Sequence, residues 1–251
     1  MRLFIYFGIL YVLALLSCTP DETPNDSNSI PVVPPHHTTS PISTPVNPGD
    51  TINYLALGDS YTIGQSVCAT CSFPAQLKDS LVSGRNPDII LKIIATTGWT
   101  TTDLKKVVDS QPLKNNYDLV TLLIGVNNQY QKKPFSLYQK EFPELLDKAI
   151  SLAKGDPNNV IVLSIPDYAY TPYGQSTSDP SAISIELSNY NSFAETICNQ
   201  KGAAFVDITP ITRDGLTNPG LVAADGLHPS ESAYSKFVTL ILPKSIAALR
   251  N

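Results

Sequence analysis

Side chains able to act as a base at neutral pH are scarce in this chain, which has only three histidines, His36, His37 and His228. The first two lie in a proline-rich tract that cannot hold a precise geometry, so a reaction that needs a neutral base must use His228. It stands in Asp225-Gly226-Leu227-His228-Pro229, three residues after a carboxylate. A serine hydroxyl becomes a nucleophile only when a base takes its proton, and the usual base is a histidine steered by a carboxylate. Ser60, inside the stretch Ile52 to Gly64 (INYLALGDSYTIG), is the candidate nucleophile. An apolar run closed by Gly58 puts that hydroxyl at the rim of a sheet, where open α/β folds keep their ligand sites. Asp225 reaches the His228 ring if the loop between them is tight, with Asp214 and Asp207 as competing carboxylates. Asp59 is assigned to holding the loop through backbone N–H groups. The plainer readings are a serine in a turn after Gly58 and a histidine at a helix entry before Pro229.

The elements that must position these residues follow from the apolar patterning. From Ile52 onward, apolar runs alternate with helical periodicity, the βαβ signature of a parallel sheet. The expected strands are Ile52 to Leu57, Ile89 to Ala95, Leu119 to Ile124, Val160 to Ile165 and Ala204 to Ile208. Helices are expected at Pro74 to Ser83, Thr101 to Ser110, Pro143 to Lys154, Ser181 to Gln200 and Ser230 to Leu249. Pro143 at the first helical position and Gly155 past the end follow the proline-start, glycine-stop asymmetry, which makes Ser136 to Phe142 a separate turn. Thr100 and Asp103 form an approximate capping box. In such a sheet Ser60 follows the first strand, Gly98 the second and Asn127 the third, while Asp225 and His228 follow the fifth. All five emerge at one edge, so residues remote in sequence converge on one crevice.

The ordered blocks Gly58-Asp59-Ser60-Tyr61-Thr62, Gly98, Gly125-Val126-Asn127-Asn128 and Asp225-Gly226-Leu227-His228 resemble the SGNH/GDSL hydrolase family. The resemblance runs from about Ile52 to the end of the chain. It implies a flavodoxin-like three-layer α/β/α sandwich on a five-stranded parallel sheet, and a serine esterase. It further implies Ser60 as nucleophile, His228 as base and Asp225 as its orienting carboxylate. The Ser60 N–H, the Gly98 N–H and the Asn127 side-chain amide would form an oxyanion hole. Glycine lets a backbone N–H approach a substrate closely, and an amide is a neutral donor with no proton to lose. Asn128 stands where the family usually has aspartate, and Ala233 where a glycine is often found in the last helix.

Composition narrows the partners. With 42% hydrophobic and 16% charged residues, the chain can build a core, and a net charge of -5 leaves no electrostatic footprint for nucleic acid. Met1 to Leu16 carries Arg2 and then an apolar run too short to span a bilayer comfortably, which reads as a signal peptide over residues 1–17. It ends Leu15-Leu16-Ser17-Cys18, resembling a bacterial lipobox in which Cys18 is lipidated and becomes the first mature residue. The alternative is a plain secretory signal with an incidental cysteine. Residues 18–50 are rich in Pro, Ser, Thr and Asn and are expected to be an extended tether, reaching up to about 90 Å at ~3 Å per residue. The hydrolase domain then covers residues 51–251. Cys68 and Cys71 suit a local disulfide that stiffens the loop beside Ser60, and Cys198 suits burial on a helix with Leu187, Tyr190 and Ala194.

The sequence therefore points to an esterase at the bacterial cell envelope, membrane-anchored through Cys18 and periplasmic or surface-exposed. It is expected to act as a monomer on a small-molecule or glycan ester, with no cofactor and no metal. A carbohydrate O-acetyl esterase leads. A lipase or lysophospholipase and a non-catalytic glycan-binding surface lipoprotein are the alternatives. Trp99, Tyr168, Tyr170 and Tyr173 fall on the same rim, where aromatic faces suit a sugar ring, an acyl chain or simple loop packing.

Overall fold

The computed structural model describes residues 51–85 and 88–250. The expected signal peptide, Cys18 and the tether to residue 50 lie outside the described residues. Five strands appear: β1 Thr51–Gly58, β2 Asp88–Ala95, β3 Leu119–Leu123, β4 Val160–Leu163 and β5 Ala204–Val206. The helices are α1 Ser60–Ile63, α2 Phe73–Arg85, α3 Thr101–Ser110, α4 Val126–Tyr130, α5 Phe135–Leu152, α6 Pro172–Gln175, α7 Pro180–Lys201, α8 Thr209–Arg213 and α9 Glu231–Ala248. The strands form one sheet in the order β2-β1-β3-β4-β5, all parallel.

Strand sequence explains strand position. In β3 and β4 every residue is buried, as expected of parallel strands covered on both faces, and the one polar side chain, Thr121, pairs its hydroxyl with that of Tyr54. At the sheet edge, β2 leaves Ile90 and Ile93 exposed and buries Ile89 and Ile94. Helix α2 packs on α9, while α3, α5 and α7 pack in succession, which gives the helix–sheet–helix layering. The chain steps from β1 outward to β2 and then back across to β3, so the order reverses beside β1 and opens a crevice at the strand ends there. Register sharpens this: Gly58 aligns with both Ala95 and Leu123, so β1, β2 and β3 end level and their following turns meet.

One expectation fails. The helix expected to begin at Pro143 begins at Phe135 and carries Pro143 in its interior. An interior proline costs about 3 kcal/mol through its lost N–H bond. Here it is outweighed by a continuous buried stripe at helical spacing, Tyr138, Glu141, Phe142, Leu145, Leu146, Ala149 and Leu152. Each large apolar residue in that stripe contributes roughly 1.5–3 kcal/mol. Elsewhere the boundaries agree to within a few residues, and α3 has a complete capping box between Thr100 and Asp103.

Candidate active site

The turn after β1 sets the first side chain. A Cβ on Gly58 would lie 2.4 Å from the Leu123 carbonyl oxygen and 2.1 Å from Thr62 Oγ1, so only glycine lets β1 run this close to β3 and α1. Asp59 caps α1 by accepting from the Tyr61 N–H at 3.0 Å, which holds the loop as its position suggested. Ser60 is then the first residue of α1, and its own N–H has no acceptor within the helix. Asp59 is fully buried and its Oδ2 has no partner. Desolvation by burial pushes its carboxyl up to about 7, against the smaller opposing effect of the Tyr61 N–H.

The histidine arrives from the other end of the chain. Gly226 and Leu227 form a tight loop in which Asp225 Oδ1 accepts from the backbone N–H groups of Leu227, at 2.9 Å, and His228, at 3.0 Å. This folds the carboxylate back on the ring, with His228 Nδ1 2.6 Å from Asp225 Oδ2. The opposite nitrogen, Nε2, lies 3.0 Å from Ser60 Oγ. Asp207 and Asp214, the competing carboxylates, are elsewhere: Asp207 accepts from Ser164 Oγ and the Thr209 N–H, and Asp214 begins a short helical turn. Tyr61 meets the His228 ring edge-on at 5.6 Å and limits its rotation.

Asp225 has a further partner that the sequence did not single out. Ser66 Oγ donates to Asp225 Oδ2 at 2.6 Å from a backbone in the left-handed region, φ 67°. Burial raises the Asp225 carboxyl, but the hydrogen bonds from Ser66, His228 and Leu227 together exceed that effect and hold it well below the usual carboxylate range. An ionised carboxylate only accepts, so the proton between Asp225 and His228 belongs on Nδ1, and in the neutral imidazole Nε2 is left with a lone pair toward the Ser60 hydroxyl. That is the protonation state a general base requires.

The third component comes from the turns after β2 and β3. Gly98 has φ 84°, and a Cβ there would meet nothing within 4 Å, so its glycine serves the backbone conformation, and its surroundings stay open. Asn127 Nδ2 donates to the Trp99 carbonyl at 3.0 Å, which spends one amide proton and leaves the other available. The amide of Gln131 donates to the Gly98 carbonyl at 2.8 Å, tying the same turn to the end of α4. Asn128 is fully buried: its Oδ1 accepts from the Thr101 N–H and its Nδ2 donates to Thr101 Oγ1. Thr101 Oγ1 in turn donates to Glu141 Oε2 at 2.6 Å. A buried carboxylate on α5 thus orders the start of α3, which orders Asn128 beside Asn127. Asparagine is suited to this place because it must both accept from a backbone N–H and donate to a hydroxyl, which a carboxylate cannot do.

The structure therefore brings Ser60, His228 and Asp225 into hydrogen-bonding sequence, with Gly98 and Asn127 joined through Trp99 in the turns that follow β2 and β3, the strands flanking β1. Cys18 lies outside the described residues. Cys68 and Cys71 are joined in a disulfide next to Ser66, and Cys198 is buried. The aromatic rim differs from the expected set. Tyr168 and Tyr173 cluster with Tyr130, whereas Tyr170 lies under Arg213 at 6.0 Å. Arg213 also pairs with the buried Asp167, at 2.9 Å, and so anchors the turn that carries Tyr168. Among the described residues no group of His, Cys, Asp and Glu could hold a metal ion, and no helix is long and apolar enough to cross a membrane.

This fold and these blocks define an SGNH-type carboxylic ester hydrolase, and the comparisons agree. Residues 56–236 match the model of the GDSL-like lipase/acylhydrolase family, and the chain belongs to that family. No curated protein matches it in sequence. Among solved structures it is similar to a variant of Axe2, an acetyl xylan esterase from Geobacillus stearothermophilus, with TM-score 0.60 at 19% identity over 78% of this chain and 95% of that one. TesA superposes with TM-score 0.60 at 15% identity, over 78% of this chain and 99% of that chain. A lipase/acylhydrolase from Enterococcus faecalis does so with TM-score 0.59 at 21% identity, over 78% and 96%.

Proposed function

We propose that the protein is a serine esterase that works through an acyl-enzyme on Ser60 and that its substrates are O-acetylated carbohydrates. The observation that carries the first part is the continuous line from Asp225 Oδ2 to His228 Nδ1, at 2.6 Å, and from His228 Nε2 to Ser60 Oγ, at 3.0 Å. His228 takes the Ser60 proton as Oγ attacks the ester carbonyl carbon. The carbonyl oxygen becomes an oxyanion held by the N–H groups of Ser60 and Gly98 and the free proton of Asn127 Nδ2. Collapse breaks the bond to the alcohol oxygen, which leaves with the proton from His228. A water then repeats the sequence on the acyl-enzyme and releases the acid.

The carbohydrate assignment is supported by a groove of about 790 Å³ along α4 and the start of α7, lined by Tyr130, Phe135, Tyr168, Asn189 and Glu186. Aromatic faces interleaved with amide and carboxylate groups suit sugar rings better than a hydrocarbon tail. The acetyl xylan esterase among its structural neighbours is consistent with that choice. A lipase or lysophospholipase is the second reading, favoured by the lipase/acylhydrolase neighbour. A purely glycan-binding module is set aside, since the chain belongs to a hydrolase family and retains Ser60 and His228. An ester panel separates the two enzymes: acetylated oligosaccharides should be hydrolysed, and lysophospholipids spared. Preference for lysophospholipid would reject the carbohydrate assignment, and no hydrolysis of any ester would reject both.

Location is part of the same reading. Leu15-Leu16-Ser17-Cys18 supports lipidation at Cys18, with residues 19–50 tethering the domain to the cell envelope. Mass spectrometry of membrane-extracted protein should find acylated Cys18. Recovery of soluble, unacylated protein with Cys18 intact would contradict it.

A further inference from the structure

We propose that Glu141, on α5, is a positioning residue for the reaction, because it ends a one-way relay of hydrogen bonds that runs from Asn128 through Thr101. The relay holds the turn carrying Gly98 and the helix carrying Asn127 in the register at which their N–H groups stabilise an oxyanion. This inference rests on the esterase reading above. Two donors from different turns serve one oxygen only if both lie about 3 Å from it, so the turns that bear them must be locked together. Gly98 follows β2 and Asn127 follows β3, and β1 runs between those strands.

The lock is a set of side-chain amides from α4 and its C-terminal end, each closing on one residue of the turn before α3. Gln131 Nε2 donates to the Gly98 carbonyl at 2.8 Å and Asn127 Nδ2 to the Trp99 carbonyl at 3.0 Å. Asn128 takes Thr101, and both are fully buried, so no water competes for this third contact. Its polarity is forced. The Thr101 N–H can only donate, so the atom it meets at 2.9 Å is Asn128 Oδ1, which leaves Nδ2 facing Thr101 Oγ1 at 2.7 Å. A hydroxyl that accepts from an amide must send its single proton elsewhere, and Glu141 Oε2 takes it at 2.6 Å.

Glu141 is the fixed end of the relay. It belongs to the buried stripe of α5 with Tyr138 and Phe142, so it is anchored in the core and not in the turns it serves. The Thr102 hydroxyl lies 2.8 Å from each of its oxygens, so hydroxyls of the first turn of α3 meet both sides of the carboxylate. Burying a carboxylate is costly, and a leucine of similar length would fill the space without that cost. What a leucine lacks is an acceptor. Without one, the Thr101 proton turns back toward the Asn128 amide, two donors face each other, and Asn128 is pushed off the turn. Asn127, its neighbour on α4, moves with it and loses its register with Gly98.

The test is kcat and KM for p-nitrophenyl acetate, with each rate divided by the amount of Ser60 that a fluorophosphonate labels, so that misfolded protein drops out. Glu141→Leu should lower kcat by about 10- to 100-fold with KM little changed, a part of what outright loss of one oxyanion donor costs. Glu141→Gln retains an acceptor oxygen and should stay within about 3-fold of wild type. A second pair of variants reverses the relay. Asn128→Asp puts a carboxylate on each side of the one Thr101 proton and should lower kcat by about 10-fold or more. Adding Glu141→Gln supplies an amide that donates to Thr101 Oγ1 and frees the hydroxyl proton for position 128, so most of that loss should be regained. If Glu141→Leu yields no labelled Ser60, the Asn128→Asp pair decides alone. Wild-type kcat in Glu141→Leu, a loss confined to KM, or no recovery on adding Glu141→Gln to Asn128→Asp would overturn the relay. Absence of labelling in wild type would refute the esterase reading beneath it.

Discussion

Replacing Asn127 by alanine separates an oxyanion donor from a structural amide. Two effects follow from its contacts. The Nδ2 proton given to the Trp99 carbonyl holds the Gly98 turn, and its loss should cost about 1 kcal/mol of stability, a fall of roughly 2–4 °C in Tm for a domain of this size. If the second proton serves an oxyanion, it gains strength only as the carbonyl oxygen becomes negative. Its loss should appear in the transition state, lowering kcat by roughly 10² to 10³, about 3 to 4 kcal/mol, with KM little changed. Steady-state kinetics on a short activated ester, alongside thermal melts, reads both numbers. Asn127→Asp should be no better than alanine, because a carboxylate repels the developing charge. A variant that loses several degrees of Tm but keeps kcat would make Asn127 structural only, and a stable, fully active Asn127→Ala enzyme would remove both roles.

Two further substitutions test the electrostatics around Ser60. The folded-state pKa of Asp59, about 7, lies above the ordinary 3.8, so stability tied to this group is present at low pH and lost as pH rises through about 7. Asp59→Asn keeps an acceptor for the Tyr61 N–H and cannot ionise. It should be more stable than wild type at about pH 8 to 9, by at most roughly 4 kcal/mol, with the gap closing near pH 4; parallel Tm profiles would contradict this. Asp225 has the opposite sign: its carboxyl is held low, so its contribution is present above the ordinary aspartate pKa and lost as pH falls. Ser66→Ala removes one of its side-chain donors and should lower kcat about 3- to 10-fold, the equivalent of one hydrogen bond, with reduction of the Cys68–Cys71 disulfide acting in the same direction. An unchanged kcat in Ser66→Ala would show that the loop does not orient Asp225.

Much of this architecture was legible because its signals are local. The five apolar runs became five strands, since a central parallel strand is covered on both faces and reads as a near-continuous apolar run, as Val160 to Leu163 does. His228 was identifiable because the other histidines lie among prolines, and Asp225 because a carboxylate three residues away needs only a tight loop to reach the ring. What stayed hidden depends on tertiary contact. Ser66 has no neighbour in sequence that hints at Asp225, 159 positions on. Glu141 falls within the turn expected over Ser136 to Phe142, whereas α5 continues through Pro143 and carries it inward to Thr101. Tyr130 follows Asn127 too closely to stand out, and its partners Tyr168 and Tyr173 lie beyond another strand. A signal for Glu141 did exist: the spacing Tyr138, Phe142, Leu145, Ala149 is helical, and Pro143 masked it.

The claim on which the rest depends is a covalent acyl group on Ser60. Rapid quenching of the enzyme during turnover of p-nitrophenyl acetate, followed by peptide mass spectrometry, measures it directly. The account predicts one acetyl group on the peptide containing Ser60, accumulating at the pace of p-nitrophenol release and absent from Ser60→Ala, which should be folded and inactive. Acetylation of another residue in its place, or undiminished hydrolysis by Ser60→Ala, would contradict it.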